Sequence, residues 1–233
     1  MILKGRLKLL YDMIPTCDIL SDIGTDHGLL PACALINQKC RKAIACDVKE
    51  GPLNNALKTV KQFGLEGKME LRLGNGLEPI TEEEADCIVI AGMGGLLIAE
   101  ILSDSMNKAK RAGTIILQPM RKQDELRTFL WKNGFEILDE SLTMEGDKLY
   151  QAMKVRYTGN IREEWDPLDE IIGKPLIEKR DPLLQDLVKS AIIRQEKIIK
   201  GMRKAKSSEI IPEREKKLLE KLRNLLDSIN VQG

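Results

Sequence analysis

The sequence predicts an α/β fold in which helices cover a mostly parallel sheet, followed by a smaller helical domain. Over the first 160 residues, short strand-like runs alternate with helical patterns, as in successive βαβ units. The runs at 88–91 and 114–117 are apolar on both faces, which is typical of strands covered by helices on both sides. Beyond the Thr-Gly-Asn stretch at 158–160 the pattern becomes helical. We therefore predict one domain at 1–160 and a second at 161–233.

The elements of the first domain can be placed along the chain in order. Strands are predicted at residues 17–23, 43–47, 69–73, 86–91 and 114–117. Helices are predicted between them at residues 29–37, 52–63, 94–103 and 123–133. Two further strands, 135–143 and 148–157, flank a Glu-Gly-Asp turn with no helix between them. An antiparallel hairpin therefore ends the otherwise parallel sheet.

The second domain is predicted to consist of helices. Asp-Pro pairs at 166–167 and 181–182 provide an N-cap residue followed by proline at the first helical position. From the second pair a helix is predicted to about residue 206, with one side formed by Leu184, Val188, Ala191, Ile192, Gln195, Ile198, Ile199 and Met202. After a break at 207–212, the next helix carries Leu218, Leu222, Leu225 and Ile229. This spacing favours an antiparallel helical hairpin or a coiled coil.

Composition restricts the classes of function. The chain of 233 residues is 42% hydrophobic and 31% charged, so it can bury a core and is not disordered as a whole. Its net charge of +1 indicates neither a nucleic-acid nor a membrane partner, and 3% aromatic residues argue against folds that stack bases on aromatic faces. The N-terminus lacks the features of a signal peptide, and no apolar run approaches the roughly 18 residues of a membrane span. We therefore expect a cytoplasmic protein.

The cysteines and the single histidine give no sign of a metal centre. The five cysteines form no Cys-x-x-Cys pair, so we expect buried, reduced side chains, with a redox or metal-binding role as the alternative. The histidine, His27, cannot build a His-based metal site alone, and we expect no metal. Serine hydrolase and Walker A motifs are absent from the sequence, which argues against hydrolase and P-loop chemistry.

The densest functional signal follows the first predicted strand, where the sequence reads Asp22-Ile-Gly24-Thr-Asp26-His27-Gly28. The glycines allow a sharp turn close to a ligand, and the next helix directs its N-terminal amides there. Because Asp22 and Asp26 would repel a pyrophosphate, they favour a cationic or hydroxyl-rich ligand, such as the amino-acid end of S-adenosylmethionine. Alone, the loop could be an ordinary tight turn. His27 could act as a base, line the cofactor site or make a local structural bond.

Four further special segments follow the next four strands. Asp47 can accept hydrogen bonds from the ribose hydroxyls of an adenosine, and the Gly-Asn-Gly of 74–76 suits an adenine edge or a plain turn. The small residues of Ala-Gly-Met-Gly-Gly at 91–95 would let substrate and cofactor approach the backbone, and Gln-Pro-Met at 118–120 completes the series. Since ligands bind at the carboxyl edge of such sheets, these segments together predict a nucleoside-type ligand.

These motifs together resemble the bacterial tRNA (adenine-22-N1)-methyltransferase family. The residues that carry the resemblance are the loop at 22–28, Asp47-Val48, Asn75-Gly76, the Gly-Met-Gly-Gly of 92–95 and the Gln-Pro-Met of 118–120. The resemblance covers the whole chain and implies a Rossmann-like class I methyltransferase fold, with seven strands of which the last is antiparallel, and a coiled-coil-like C-terminal domain. It also implies that S-adenosylmethionine is used to methylate N1 of an adenine in the D-loop region of tRNA.

The resemblance also implies the site residues. Asp26, Gly92 and Met93 would face the target base. By position, the cofactor would be lined by Gly24, His27, Asp47, Val48, Asn75 and Gly76. Our predicted cofactor-binding set adds Asp22, Gly28, Gly92, Met93 and Gln118. The Asn-Pro-Pro-Tyr type of tetrapeptide is missing, which fits a ring nitrogen better than an exocyclic amine. Neutral adenine N1 already carries a lone pair, so the enzyme mainly aligns the reactants, and Asp26 would offset the developing positive charge or accept a proton from N6.

The distribution of charge agrees with an RNA substrate. Residues 189–206 contain seven basic residues against the single acid Glu196, a net charge of +6, and the N-terminus adds three more basic residues. The predicted RNA-binding residues are Lys4, Arg6, Lys8, Lys197, Lys200, Arg203 and Lys204. They would bind phosphates largely without regard to base sequence, although a solvated helix face is the alternative. We expect tRNA as the partner and a monomeric enzyme.

Three other functions compete with this interpretation. A nicotinamide-dependent oxidoreductase conflicts with the acidic loop and the terminal hairpin. A non-catalytic RNA-binding or protein-binding module would not need the five segments at the sheet edge. A methyltransferase of small molecules is the nearest rival, and it would not need the basic helical extension.

Overall fold

The computed structural model describes residues 1–205 and 212–231, with only the backbone described at 203–205 and 231. The chain divides into two compact units, Met1–Glu163 and Glu164–Gly233. Within the described parts, no helix is long and apolar enough to cross a membrane.

The first unit contains a seven-stranded sheet with helices on both faces. Its elements are α1 (Gly5–Met13), β1 (Cys17–Ile23), α2 (Leu29–Ile36), β2 (Cys40–Asp47), α3 (Glu50–Phe63), β3 (Met69–Leu73), β4 (Cys87–Gly94), α4 (Gly95–Asp104), α5 (Met106–Arg111), β5 (Thr114–Arg121), α6 (Gln123–Lys132), β6 (Phe135–Glu145) and β7 (Lys148–Tyr157). The strand order is β3-β2-β1-β4-β5-β7-β6. Strand β7 runs antiparallel to both of its neighbours, and the remaining pairs are parallel. The predicted fold class is confirmed.

Each face of the sheet has its own core because side chains alternate along a strand. In β4, Cys87 and Val89 belong to the core under α1, α2 and α3, whereas Ile88 and Ile90 belong to the core under α4, α5 and α6. All four side chains are buried. The apolar run that predicted a doubly covered strand is therefore explained by this packing.

Four strands are longer than predicted, since β2 begins at Cys40 instead of residue 43, β6 ends at Glu145 instead of residue 143, and β4 and β5 run past their predicted ends. Strand β4 continues to Gly94 and β5 to Arg121, with Ala91 paired to Gln118 and Met93 paired to Pro119. The prediction that the segments at 92–95 and 118–120 are loops beyond the strands was therefore wrong for most of their residues. Glycine and proline usually interrupt strands, but here they lie where the register between the two strands shifts. Helices α1 and α5 were not predicted.

A buried ion pair joins α6 to the terminal hairpin. Arg127 donates from Nε and Nη2 to Glu140 Oε1 at 3.1 and 2.8 Å, and Gln151 Nε2 donates to the same oxygen at 3.2 Å. The Arg127 and Glu140 side chains are fully buried. Because both charges have left water, the attraction between them offsets part of the cost of burying them.

The second unit is helical, with α7 (Pro167–Ile171), α8 (Lys174–Glu178), α9 (Leu184–Ala205) and α10 (Glu213–Val231). Asp166 caps α7 as predicted, since its Oδ1 accepts a hydrogen bond from Leu168 N at 2.8 Å. Helices α9 and α10 pack antiparallel, with Gln185 near the start of α9 bonded to Asn230 near the end of α10. The buried side chains of this pair are Leu184, Val188, Ala191, Gln195, Ile199, Leu218 and Leu222. The predicted break, apart from Pro212, lies outside the described residues.

Candidate active site

The loop after β1 is held rigidly against the end of β2. The backbone N–H groups of Gly24 and Thr25 both donate to Cys46 O, at 2.8 and 2.9 Å. Gly28 N donates to Thr25 Oγ1 at 3.2 Å. Gly24 has φ +78°, a conformation that few other residues adopt, and Met93 Cε lies 2.1 Å from the position of a Cβ at Gly24. The structure therefore brings Gly24 and Met93, two predicted site residues, into contact.

A pocket of about 150 Å³ opens between this loop and α1. It is lined by all five of the predicted loop residues, which are Asp22, Gly24, Asp26, His27 and Gly28, and by Ala91 of β4. Helix α1 contributes Arg6, Leu7 and Leu10. The contribution of α1 to the pocket was not predicted, although the apolar spacing of Leu3, Leu7, Leu10 and Ile14 indicates a helical face.

Asp22 is a buried carboxyl group in the wall of the pocket, with 7% of its surface exposed. Burial raises its pKa to about 6, the neighbouring Asp47 carboxylate adds to the rise, and a hydrogen bond with the Thr25 side chain partly offsets it. Among the described residues, no cationic side chain forms an ion pair with Asp22. A ligand that brings a positive charge into the pocket would therefore be favoured.

Ligand binding should weaken as the pH falls below about 6, since a protonated Asp22 cannot balance a cationic amino group. We expect the affinity for S-adenosylmethionine to fall toward tenfold per pH unit there, measured by calorimetry from about pH 5 to 8. Asp22→Asn should bind weakly throughout and lose this dependence. A native affinity that stays constant across the range would contradict the assignment.

The same group affects the stability of the ligand-free protein. The folded chain holds the Asp22 proton up to about pH 6, whereas the ordinary pKa is 3.8. The folded state is stabilised by holding this proton, and this stabilisation is therefore fully present below about pH 4 and is lost as the pH rises through about 6. The stability advantage of Asp22→Asn over the native protein should consequently grow as the pH rises from about 4 to about 6 and should persist at higher pH.

Asp26 and His27 are exposed at the pocket. Asp26 Oδ2 lies 3.3 Å from His27 Nε2, with 75% of the Asp26 side chain and 54% of the His27 side chain exposed. The backbone of His27 is fixed because its carbonyl accepts a hydrogen bond from Thr59 Oγ1 at 2.7 Å. The Asp26 carboxylate beside His27 is therefore accessible to a substrate that approaches from solvent.

The ends of β2 and β3 combine one carboxylate with apolar surface. Asp47 Oδ1 accepts a hydrogen bond from Lys49 N at 2.8 Å, and Asp47 O accepts one from Gly74 N at 3.0 Å. Val48 and Leu73 are each 56% exposed although both are large and apolar. Leu73, which was not predicted as a site residue, is paired with Asp47 in the sheet register. Exposed apolar side chains beside a carboxylate suit a flat base attached to a ribose.

The other predicted cofactor residues have different surroundings. Asn75 is exposed, and Gly76 is buried close to Ile101. Gln118 is fully buried and its Oε1 accepts a hydrogen bond from Gly92 N at 3.1 Å. Gln118 therefore holds the backbone of Gly92 in place, and its predicted contact with the cofactor stays a prediction.

The predicted RNA-binding residues are distributed over both units. Lys4 is exposed, Lys8 pairs with Asp12 at 2.6 Å, and Arg6 lines the pocket instead of projecting freely. Lys197 and Lys200 are exposed on α9. The side chains of Arg203 and Lys204 lie outside the described residues.

The cysteines are free thiols, and burial keeps two of them protonated. All five cysteines are free, and burial raises the pKa of Cys40 and Cys46 to about 12, so both remain protonated. Within the described residues, no group of three or more His, Cys, Asp or Glu side chains could hold a metal ion.

The open sheet with antiparallel β7 and the acidic pocket at its carboxyl edge define a class I methyltransferase fold. The methyltransferase domain family matches residues 3–153. The tRNA (adenine(22)-N(1))-methyltransferase of Bacillus subtilis is 38% identical over 151 residues, which cover 65% of this chain and 63% of that protein. The crystal structure of a candidate tRNA (m1A22) methyltransferase from Streptococcus pneumoniae has a TM-score of 0.83 and 31% identity, covering 97% of this chain and 100% of that one.

A complex of the Streptococcus pneumoniae protein with S-adenosyl-L-methionine matches with a TM-score of 0.78 and 30% identity, covering 99% of this chain and 98% of that one. The chain belongs to the methyltransferase domain family, in the group of the bacterial tRNA (adenine-22-N1)-methyltransferases. The family resemblance carried by the motifs is confirmed.

Proposed function

We propose that this protein transfers a methyl group from S-adenosylmethionine to N1 of adenine 22 in tRNA. The observation that carries the proposal is the pocket in which the buried carboxyl group of Asp22 and the exposed carboxylate of Asp26 share one cavity. Asp22 would bind a cationic ligand, and Asp26 would face the substrate. The names of the Bacillus subtilis and Streptococcus pneumoniae relatives support the same reaction.

The residues at the sheet edge fit each part of S-adenosylmethionine. Asp22 would face the cationic amino group, and Asp47 would accept hydrogen bonds from the ribose hydroxyls. Val48 and Leu73 offer apolar surface to the adenine. When bound, the cofactor supplies a methyl group already activated on a sulfonium.

The remaining chemistry required of the protein is alignment and charge stabilisation. Neutral adenine N1 carries a lone pair, so no residue has to remove a proton before attack. Gly92, fixed by Gln118, and Met93, packed over Gly24, would position the target base. As the ring becomes cationic, the Asp26 carboxylate would stabilise the charge or accept a proton from N6. Because N1 lies on the Watson–Crick edge, a paired adenine must first be exposed.

The proposed site of action is the cytoplasm, where the enzyme would work as a monomer without a metal. The exposed lysines of α9 and the N-terminus would hold the tRNA backbone. Unchanged transfer in the presence of EDTA and a monomeric mass by light scattering are the expected results.

The direct test is to incubate the protein with labelled S-adenosylmethionine and unmodified tRNA. We expect N1-methyladenosine at one D-loop position, located by primer extension and mass spectrometry. A matched tRNA with guanosine at position 22 should take up no label. Cofactor binding without transfer to any tRNA would overturn the proposal and favour a small-molecule acceptor.

A further inference from the structure

Two arginine side chains lie over the glycine-containing end of β4. Arg6 Nη1, from α1, is 3.5 Å from the position that a Cβ would take at Gly92. Arg121 Nε, from the end of β5, is 3.4 Å from the corresponding position at Gly94, its partner in the sheet register. The two guanidinium groups therefore lie beside the backbone that is proposed to carry the target base.

Neither guanidinium is neutralised by a carboxylate within ion-pair distance among residues 1–205 and 212–231. Arg6 donates from Nη1 to Met120 Sδ at 3.4 Å, and its guanidinium carbon lies 5.5 Å from the centre of the Tyr150 ring. These contacts orient Arg6 without cancelling its charge. Arg121 and Met120 are exposed. A positively charged, accessible and partly oriented pair of this kind suits phosphate oxygens.

At Gly94, the backbone between the arginines is more open than folding requires. Gly94 has φ −71°, which any residue adopts, and a Cβ there would meet nothing closer than 3.4 Å. The next residue is different, because a Cβ at Gly95 would lie 2.2 Å from Lys122 O. Packing therefore requires glycine at 95 but not at 94. Gly94, beside Arg121, leaves backbone surface that a ligand can contact.

We propose that Arg6 and Arg121 bind two phosphate groups of the substrate strand, one on each side of the target nucleotide. This inference rests on the proposed function and makes it more specific, since it assigns the positions of the phosphates at the site itself. The base between the two phosphates would then lie over Gly92 and Gly94. Arg6 would then bind a specific phosphate beside the target nucleotide instead of contacting the tRNA backbone at an unspecified position.

The test compares Arg6→Gln, Arg121→Gln and the double variant with Arg41→Gln. Arg41 is a suitable control because its side chain is 81% exposed and pairs with Asp18 near the opposite edge of the sheet. Equilibrium binding of unmodified tRNA is measured at several salt concentrations, together with the affinity for S-adenosylmethionine. Each single variant should weaken tRNA binding about tenfold and reduce the slope of log K against log salt by about 0.7, the value for one phosphate of a single strand. The double variant should reduce the slope by about 1.4.

Several results would overturn the inference. An unchanged slope in Arg6→Gln or Arg121→Gln would show that the side chain does not contact a phosphate. Weaker cofactor binding by Arg6→Gln with an unchanged slope would instead assign Arg6 to the cofactor's carboxylate. If the native protein neither bound nor methylated tRNA, the proposed function itself would be rejected. The result with the native protein therefore separates failure of the proposed function from failure of the phosphate inference.

Discussion

Replacing Arg127 by leucine should lower the free energy of unfolding by about 3–5 kcal/mol. The variant leaves Glu140 in a fully buried position with its ionic partner removed. Gln151 still donates a hydrogen bond to Glu140 Oε1, but a neutral amide cannot compensate for a buried negative charge. Urea unfolding followed by circular dichroism would measure the loss as a lower midpoint.

Two further variants make this result interpretable. The double variant Arg127→Leu with Glu140→Leu should recover most of the lost stability, because both charges are then absent. Arg41→Leu, which breaks an exposed pair with Asp18, should cost less than about 1 kcal/mol. If Arg127→Leu and Arg41→Leu changed the midpoint equally, the buried pair would have no special importance for α6 and the hairpin.

The succession of strands along the chain, and the edge at which the acidic and glycine segments meet, could be predicted because their signals are local. A strand such as β1 mixes apolar and polar residues and is followed at once by an acidic, glycine-containing loop, and both features can be recognised without tertiary information. The hairpin of β6 and β7 was predicted for the same reason, since a glycine turn separates two alternating segments. Once the strands are parallel, their carboxyl ends share an edge, so the acidic and glycine segments had to lie near one another.

The extensions of β4 and β5 could not be predicted in this way. Glycine at 92 and 94 and proline at 119 predict that a strand has ended. In the structure, pairing of Met93 with Pro119 and of Gly94 with Arg121 continues the sheet past these residues. The pairing depends on two strands lying side by side, which neither segment indicates alone. Under the phosphate proposal, the extra length of β5 would carry Arg121 to its position beside Gly94.

Contacts between charged or polar residues that are distant in the sequence could not be predicted either. Arg127 and Glu140 look like surface residues in the sequence, yet both are fully buried and joined across α6 and β6. The hydrogen bond that Gly92 N donates to Gln118 Oε1 joins β4 to β5, and neither segment indicates it alone. Arg6 is a similar case, since only the packing of α1 brings its side chain to the pocket.

Replacing Asp26 by alanine should reduce the rate of methyl transfer about a hundredfold while the affinity for S-adenosylmethionine changes little. The Asp26 carboxylate is exposed at the pocket, where it can meet the adenine ring as that ring becomes cationic. Loss of one such electrostatic contact typically reduces kcat by about a hundredfold or more. Single-turnover transfer to tRNA gives the rate, and calorimetry gives the cofactor affinity.

The contact between Asp26 and His27 requires a matched variant, because the two side chains lie 3.3 Å apart. If the carboxylate itself acts on the substrate, His27→Ala should retain most of the transfer rate that Asp26→Ala loses. Asp26→Asn separates charge from shape, and it should be nearly as slow as Asp26→Ala since the amide is neutral. Equal losses of cofactor affinity and transfer rate in Asp26→Ala would place Asp26 among the cofactor-binding residues, because a group that acts only on the adenine cannot alter binding of the cofactor alone.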